Sequence, residues 1–208
     1  MLSFDHFILG VDDLNEAMTS FNMLTGVLPV YGGGHPTLGT HNALVSLGNG
    51  SYFELLSIDP VNVTGSNSTI ESLKSHKLPK LIGWALEIVD LEKTAQALIS
   101  ADLSMSPLQK GSRKTPEGVV LNYEFAAIVG LSNTKNIVPF FIKWVETAHP
   151  SQTSPIGCHL QDVALGVSAD EKLITFLKNT GLAITITETD QPFLEIRFRS
   201  PLGEITFK

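Results

Sequence analysis

The chain has 208 residues, of which 43% are hydrophobic and 17% charged, and its formal net charge is -7 at pH 7. This hydrophobic content is enough for a sizeable core, and the low charged content predicts that much of the chain is buried. The acidic balance and the lack of basic runs argue against nucleic acid as a partner, because phosphates require clusters of Lys and Arg.

The single cysteine, Cys158, rules out an intrachain disulfide and favours a reducing compartment. We expect Cys158 to be a small buried residue rather than a nucleophile, because free cysteines usually behave as hydrophobic side chains. The N-terminus has no basic region followed by a cleavage site, and no apolar stretch is long enough to span a bilayer. The sequence therefore predicts a cytoplasmic protein with no membrane partner.

The first 58 residues predict one structural unit, residues 1–58. Its predicted elements are a strand over residues 3–11, a helix capped by Asp12–Asp13 and stopped at Thr25–Gly26, a glycine-rich loop around 31–36, a strand over 42–47, a hairpin turn at 48–50 and a closing strand over 52–58. Residues 59–80 are rich in Pro, Asn, Ser, Thr and Lys, and we interpret them as a linker.

The same order of elements then recurs. Residues 81–146 predict a second unit, with a strand over 81–89, a helix capped by Asp90 and strands over 119–127 and 137–144. Residues 156–208 predict a third, weaker unit, with a strand over 162–167, a helix over 170–179 and strands over 183–189, 194–199 and 204–208. Each unit has an apolar sheet face that it must bury against a sister unit. We therefore expect one globular α+β domain of repeated βαβββ units.

The most informative residues are His6 and Glu54, which lie in the first and last predicted strands of the first unit. Each places an ionisable group where a strand normally buries an aliphatic side chain, which is costly unless the group is paired or ligated. An imidazole and a carboxylate that converge are suitable ligands for a divalent metal ion. The alternative is a hydrogen-bonded pair of His6 and Glu54 that joins the strands without a metal.

Several short motifs, together with the repeat, are similar to a known family. They are Asp5-His6, Gly33-Gly-His35, Gly39-Thr-His-Asn42, Tyr52-Phe-Glu-Leu-Leu56, Pro139–Trp144 and His149-Pro150. In these motifs the chain resembles the glyoxalase-like domain proteins of the vicinal oxygen chelate superfamily, which includes glyoxalase I, extradiol dioxygenases, and fosfomycin and bleomycin resistance proteins. The resemblance implies curved mixed sheets around a central pocket.

The resemblance also implies a function. It indicates a metal-dependent lyase, isomerase or dioxygenase that acts on a small oxygenated molecule through a chelated enolate. The divalent ion would be Zn, Ni, Fe or Mn, with His6 and Glu54 as ligands. Glu54 would also be the catalytic base if it detaches from the metal.

The second unit departs from this metal-binding pattern. Trp84 stands at the position that matches His6, and Phe141 lies near the position that matches Glu54, and neither is a metal ligand. The chain therefore supplies only half of the usual ligand set. The remaining ligands would come from His35, His41, His149, Asp162 or the substrate.

Seven residues are candidates for binding the substrate: His35, His41, Asn42, Trp84, Arg113, Phe140 and His149. Arg113, in a predicted loop, carries a guanidinium group that can bind a carboxylate or an enolate through two hydrogen bonds. The alternative for Arg113 is a surface charge, and the alternative for Trp84 and Phe140 is the ordinary core. For the three histidines the alternative is exposure to solvent.

The ligand-poor second unit also supports a second function. This is a non-catalytic protein that sequesters a small molecule in an apolar pocket and needs no metal. The substrate, the metal and the oligomeric state, including a homodimer, are left open by the sequence.

Overall fold

The computed structural model describes residues 2–62, 65–131, 138–168 and 171–208. It is an α+β structure in which a strand, a helix and further strands recur along the chain, and the strands form curved mixed sheets. The predicted fold class is therefore confirmed.

The first repeat consists of β1 (Leu2–Gly10), α1 (Leu14–Thr25), β2 (Val30–His35), β3 (Thr40–Gly48) and β4 (Ser51–Ile58). Asp13 caps α1 by accepting a hydrogen bond from the backbone N–H of Glu16, and Gly26 ends the helix in the left-handed conformation. The prediction of a glycine-rich loop around residues 31–36 is wrong over most of its length. This segment is β2, which pairs with β3 and brings His35 into the sheet.

Helix α2 (Ser68–Ser75) lies within the segment that the sequence indicated as a linker, and the Asn67 side chain caps it. The second repeat consists of β5 (Lys80–Ile88), α3 (Leu91–Ser100), β6 (Ser104–Met105), β7 (Gln109–Lys114), β8 (Val120–Val129) and β9 (Phe140–Val145). The segment around Arg113, predicted as a loop, is strand β7. Its residues are polar or glycine, so the sequence lacks the apolar alternation that indicates a strand. The predicted start of the last strand, Ile137, lies outside the described residues.

The third repeat follows a short 3-10 helix over Pro150–Gln152. It consists of β10 (His159–Val167), α4 (Glu171–Thr180), β11 (Thr185–Glu188), β12 (Phe193–Ser200) and β13 (Gly203–Phe207). The predicted start of its helix, Asp170, lies outside the described residues.

In the described part of the chain, eight strands close into a barrel. Their order is β8-β7-β2-β3-β4-β1-β5-β9, and β9 pairs again with β8. Long antiparallel pairing of β1 with β5 joins the first two repeats on one side. On the other side β2 and β7 meet at a single register pair, Gly34 with Lys114. The barrel therefore has one extensive seam and one narrow seam.

The third repeat forms a separate four-stranded sheet, in the order β11-β10-β12-β13 among the described residues. This sheet covers an outer face of the barrel through aromatic contacts, with the rings of Phe53 and Phe207 centred 5.1 Å apart and those of Phe53 and Phe198 5.8 Å apart. Cys158 is buried in the same core, and burial raises the pKa of its thiol to about 11. This confirms its predicted packing role.

Among the described residues, the four helices are too short or too polar to cross a lipid bilayer.

Candidate functional site

His6 and Glu54 meet inside the barrel. Strands β1 and β4 run parallel, with His6 opposite Tyr52 and Ile8 opposite Glu54, so the imidazole and the carboxylate share the inner face. His6 Nε2 lies 3.5 Å from Glu54 Oε2, and the two residues are only 4% and 5% exposed. The first and last strands of one repeat thus bring the two groups together.

Asp5 holds the other side of the His6 ring. Asp5 Oδ1 lies 2.6 Å from His6 Nδ1, while Asp5 Oδ2 accepts a hydrogen bond from Trp144 Nε1 at 2.9 Å and lies 3.1 Å from His149 Nε2. Burial raises the pKa of Asp5, but the hydrogen bonds from His149 and His6 outweigh burial, and its pKa falls to about 2.

The tautomer of His6 follows from the charge of Asp5. A carboxylate with a pKa of about 2 can only accept hydrogen bonds at neutral pH, so His6 Nδ1 carries the ring proton. The other ring nitrogen, His6 Nε2, faces Glu54 and the cavity. The sequence reasoning named Asp5 only within a family motif and assigned it no role.

Asn42 links the carboxylate of Glu54 to the guanidinium of Arg113. Its Nδ2 donates a hydrogen bond to Glu54 Oε1 at 2.7 Å, and Arg113 Nη1 donates to its Oδ1 at 3.4 Å. Arg113 Nη1 also donates to the carbonyl oxygen of Gly32. The amide thus stands between a carboxylate and a cation that otherwise would attract each other.

The glycines of β2 make room for this network. A Cβ atom at Gly32 would overlap Arg113 Nη1 and Asn42 Oδ1, and a Cβ atom at Gly33 would overlap the backbone carbonyl of Lys114. Gly33 also has φ +123, a conformation that only glycine adopts readily. The glycine run therefore allows the close approach of β7 and its arginine.

His35 is the second buried histidine of this region. Its Nδ1 lies 3.0 Å from the hydroxyl of Thr40, and its Nε2 lies 3.5 Å from Asn42 Nδ2. Burial lowers the pKa of His35 to about 4, with Glu54 raising it and Arg113 lowering it to smaller extents. His35 is therefore a neutral ring at pH 7.

These groups face a cavity of about 420 Å³ inside the barrel. Six of the predicted site residues line it: His6, His35, Asn42, Glu54, Arg113 and Phe140. The β8 and β9 side of the cavity is mostly apolar and aromatic, with Phe125, Ala126, Ala127, Phe140, Ile142 and Trp144. The cavity is therefore charged and polar on the first-repeat side and largely apolar on the opposite wall.

Two tyrosines also line the cavity, and sequence reasoning gave neither a role. The Tyr52 ring stacks on His6 with centroids 4.7 Å apart. Burial raises the pKa of Tyr52 well above its ordinary value and raises that of Tyr123 to about 12, so both phenols stay protonated. Phe140 meets His6 edge-on, with centroids 5.5 Å apart.

Three predicted site residues do not line this cavity. His41 is on the opposite face of β3 from Thr40 and Asn42, and its ring lies edge-on to Tyr31. Trp84 is fully buried in the core, stacked on Phe7. His149 lies behind His6, where it contacts Asp5.

Strand register explains the position of Trp84. Trp84 pairs with Phe7 across β1 and β5, while His6 pairs with Ala85. Cross-strand partners share one face of a sheet, so Ala85 rather than Trp84 matches His6. On β9, Ala85 pairs with Phe140, which makes Ile142 rather than Phe141 the counterpart of Glu54. The second repeat therefore contributes apolar side chains at both matching positions.

The other histidines and Asp162 do not complete a ligand set. Asp162 is in the separate sheet of the third repeat, where it pairs with Arg197 at 3.1 Å. Among the described residues, no group of three or more His, Cys, Asp or Glu side chains is arranged to hold a metal ion. His6 and Glu54 are therefore a donor pair without a third such protein ligand in this part of the chain.

The structure is thus a closed barrel of paired βαβββ repeats, with a His and a Glu on the first and last strands of one repeat. A family model for the glyoxalase-like domain matches residues 4–181. The chain belongs to this family, and the resemblance to the vicinal oxygen chelate superfamily is confirmed.

Comparison with one solved structure supports the fold, and a second comparison gives a weaker similarity. A hypothetical protein from Staphylococcus aureus is similar over 100% of this chain and 85% of its own, with a TM-score of 0.68 and 19% identity. Methylmalonyl-CoA epimerase from Mycobacterium tuberculosis is similar over 72% of this chain and 91% of its own, with a TM-score of 0.46 and 15% identity. Among curated proteins, none matches this chain.

Proposed function

We propose that this chain is a glyoxalase-like enzyme, a metal-dependent lyase, isomerase or dioxygenase, that acts on a small oxygenated molecule inside the barrel. One observation carries the proposal: the buried His6 Nε2 and Glu54 Oε2 lie 3.5 Å apart on the wall of a cavity of about 420 Å³. A carboxylate and a nitrogen lone pair that face such a cavity suit proton transfer beside a carbonyl group.

The donor pair fits two ligands of a divalent ion. Zinc ligands lie about 2.1 Å from the ion, so two ligands at a tetrahedral angle are about 3.4 Å apart. The separation of His6 Nε2 and Glu54 Oε2, 3.5 Å, is close to that value. Oxygens of the bound molecule or water would complete the coordination. When bound, the ion would act as a Lewis acid on a carbonyl oxygen.

The protein groups then have distinct tasks. Asp5 fixes the orientation of His6, and Asn42 holds Oε1 of Glu54 so that Oε2 faces the cavity. When its Oε2 is not engaged as a ligand, Glu54 accepts a proton from the carbon next to the carbonyl, and the C–H electron pair moves to form the enolate. For a 2-hydroxycarbonyl compound, return of this proton from Glu54 to the former carbonyl carbon, with transfer of the neighbouring hydroxyl proton to the former carbonyl oxygen, completes an isomerisation.

Metal content tests the first half of the proposal. The wild type is supplemented in turn with Zn, Ni, Fe and Mn, desalted and measured by mass spectrometry of the elements, beside a His6→Ala, Glu54→Gln double variant. We expect about one ion per chain in the wild type and loss of the ion in the variant. His159→Ala, at an exposed histidine, is the matched control. A metal-free wild type, or an ion that persists in the double variant, contradicts the assignment.

Hydrogen exchange tests the second half. A panel of small 2-hydroxyketones and 2-oxo acids is incubated with the protein in D₂O, and loss of the proton next to the carbonyl is followed by NMR. We expect exchange with the wild type and with Glu92→Gln, an exposed control, but a loss of about 100-fold or more with Glu54→Gln. Equal exchange by Glu54→Gln would remove Glu54 as the base.

The composition of the cavity favours one second candidate, a non-catalytic protein that sequesters a small molecule. The β8 and β9 wall is apolar, and the second repeat provides Ala85 and Ile142 where a full metal centre would have ligands. This candidate predicts binding of a small molecule without exchange or turnover in either the wild type or Glu54→Gln.

A further inference from the structure

Arg113 is a buried cation with no ionic partner among the residues that the structure describes. It is only 4% exposed, and in the described part of the chain no carboxylate oxygen lies within 4.0 Å of its guanidinium group. Its recorded partners are neutral, the carbonyl oxygen of Gly32 and the side-chain oxygen of Asn42. A buried charge of this kind is costly unless an opposite charge joins it.

Among the described residues, only one of the three guanidinium nitrogens of Arg113 donates hydrogen bonds to the protein. Both hydrogen bonds of Arg113 come from Nη1, and among the described residues none comes from Nε or Nη2. Arg113 is part of the cavity wall. A planar fork with free donors matches the two oxygens of a carboxylate.

Asn42 lies between the carboxylate of Glu54 and this fork. It donates to Glu54 Oε1 at 2.7 Å and accepts from Arg113 Nη1 at 3.4 Å. The amide is neutral and occupies the space in which the two charges would form a salt bridge. Glu54 therefore remains available to the reacting part of a ligand, and Arg113 remains available to an anionic part.

The rest of the cavity is suited to an apolar group at the other end of the ligand. Phe125, Phe140 and Ile142 present apolar surface on the β8 and β9 wall, in the same cavity as Arg113. Burial of an apolar group against this wall removes apolar surface from water and is therefore favourable. His35 is neutral at pH 7 and adds no competing cation.

We infer that the molecule bound in the barrel is a small carboxylate with an aromatic or aliphatic tail, held at its carboxylate by Arg113 and at its tail by the β8 and β9 wall. This inference rests on the proposed function for the identity of the reacting site. It restricts the expected class of ligand from small oxygenated molecules in general to organic acids.

The test compares two probes of nearly equal shape. 3-Phenylpropanoate carries the carboxylate and the aromatic tail, and 3-phenylpropanamide replaces the carboxylate with a neutral amide. Binding to the wild-type protein is measured by isothermal titration calorimetry at pH 7.5. We expect 3-phenylpropanoate to bind roughly 10- to 100-fold more tightly than the amide, as charge-assisted hydrogen bonds in a buried site imply.

Variants locate the binding. Arg113→Met should weaken 3-phenylpropanoate roughly 10- to 100-fold and leave the amide nearly unchanged, whereas Lys114→Met, at the exposed neighbouring position on β7, should change neither. Glu54→Gln should lose hydrogen exchange but keep 3-phenylpropanoate binding, which separates failure of the proposed reaction from failure of this inference. Equal affinity for the two probes, no binding of either at millimolar concentration, or full binding by Arg113→Met would overturn it. If Arg113→Met does not fold, the comparison of probes on the wild type decides.

Discussion

Asp5 and His6 are adjacent in the chain, yet Asp5 Oδ1 lies 2.6 Å from His6 Nδ1. Adjacent side chains of a regular strand point to opposite faces, so this contact depends on the register shift between Phe4 and His6 where β1 pairs with β5. Trp144 and His149 contact the other oxygen of the same carboxylate. The irregularity in β1 therefore places an acceptor behind the imidazole.

Replacement of Asp5 by Ala should destabilise the protein. Trp144 Nε1 and His6 Nδ1 would lose a buried acceptor, and each unmet buried donor costs about 1–3 kcal/mol. We expect the free energy of unfolding, measured in urea, to fall by about 2 kcal/mol or more. Asp12→Ala, at an exposed neighbouring aspartate, should change it by less than about 0.5 kcal/mol. Equal effects of the two variants would show that the Asp5 contacts contribute nothing.

The stability conferred by His35 should depend on pH. Its pKa is lowered by burial from 6.5 to about 4, so between these values the unfolded chain binds a proton that the folded protein does not. The contribution is complete above pH 6.5 and is lost as the pH falls to about 4, with a total of about 3 kcal/mol.

The measurement is the difference in unfolding free energy between the wild type and His35→Gln, taken in urea from pH 7.5 down to 4.5. The advantage of the wild type should shrink as the pH falls. His159→Gln, at an exposed position, controls for loss of a histidine. A difference that stays constant with pH contradicts burial of a neutral His35.

Gly32→Ala should disturb the site as well as the fold. Its new methyl group would overlap Arg113 Nη1 and Asn42 Oδ1, and overpacking of this kind costs about 1–3 kcal/mol. We expect lower stability and weaker binding of 3-phenylpropanoate. Gly83→Ala is the matched control, because a Cβ atom there meets only Ile8 Cδ1 at an ordinary 3.6 Å. Unchanged binding in Gly32→Ala would mean that Arg113 does not depend on this space.

The variant Trp84→Phe should lower the stability of the protein without weakening ligand binding, because Trp84 belongs to the core and not to the cavity. Trp84 stacks on Phe7 with centroids 6.4 Å apart, so the smaller ring should lower the unfolding free energy by about 2 kcal/mol. Binding of 3-phenylpropanoate should change less than about twofold, because the side chain is outside the cavity. Phe140→Ala, on the cavity wall, should weaken binding more than Trp84→Phe does. If Trp84→Phe weakened binding more than Phe140→Ala, Trp84 would have to be assigned to the binding site.

The sequence predicted the convergence of His6 and Glu54 because two ionisable residues in apolar strands, at the ends of a repeated unit, leave few other arrangements. It did not predict that Trp84 faces the core, since a strand pattern does not reveal which of two adjacent residues faces inward. The pairing of Trp84 with Phe7 across β1 and β5 decides that, and pairing between distant strands is a tertiary property.

Two other strands of the site, β2 and β7, were not predicted because their local sequences do not resemble those of strands. β2 consists of Val30, Tyr31, three glycines and His35, and glycine favours loops when it is judged by propensity alone. β7 has the sequence Gln-Lys-Gly-Ser-Arg-Lys, with no apolar alternation to mark it as a strand. These two strands form the narrow seam of the barrel. The strands that were hardest to predict from sequence are therefore the ones that position Arg113 at the cavity.

The two sides of the barrel come from separate stretches of chain. The proposed acid–base groups belong to β1, β3 and β4, while the proposed anchoring guanidinium and the apolar wall belong to β7, β8 and β9. Under these proposals, reactivity and ligand choice are encoded in different halves of the sequence. Exchange of residues 109–145 between relatives would change which acid enters without altering how a proton is moved, so new selectivity can evolve while the old chemistry is retained.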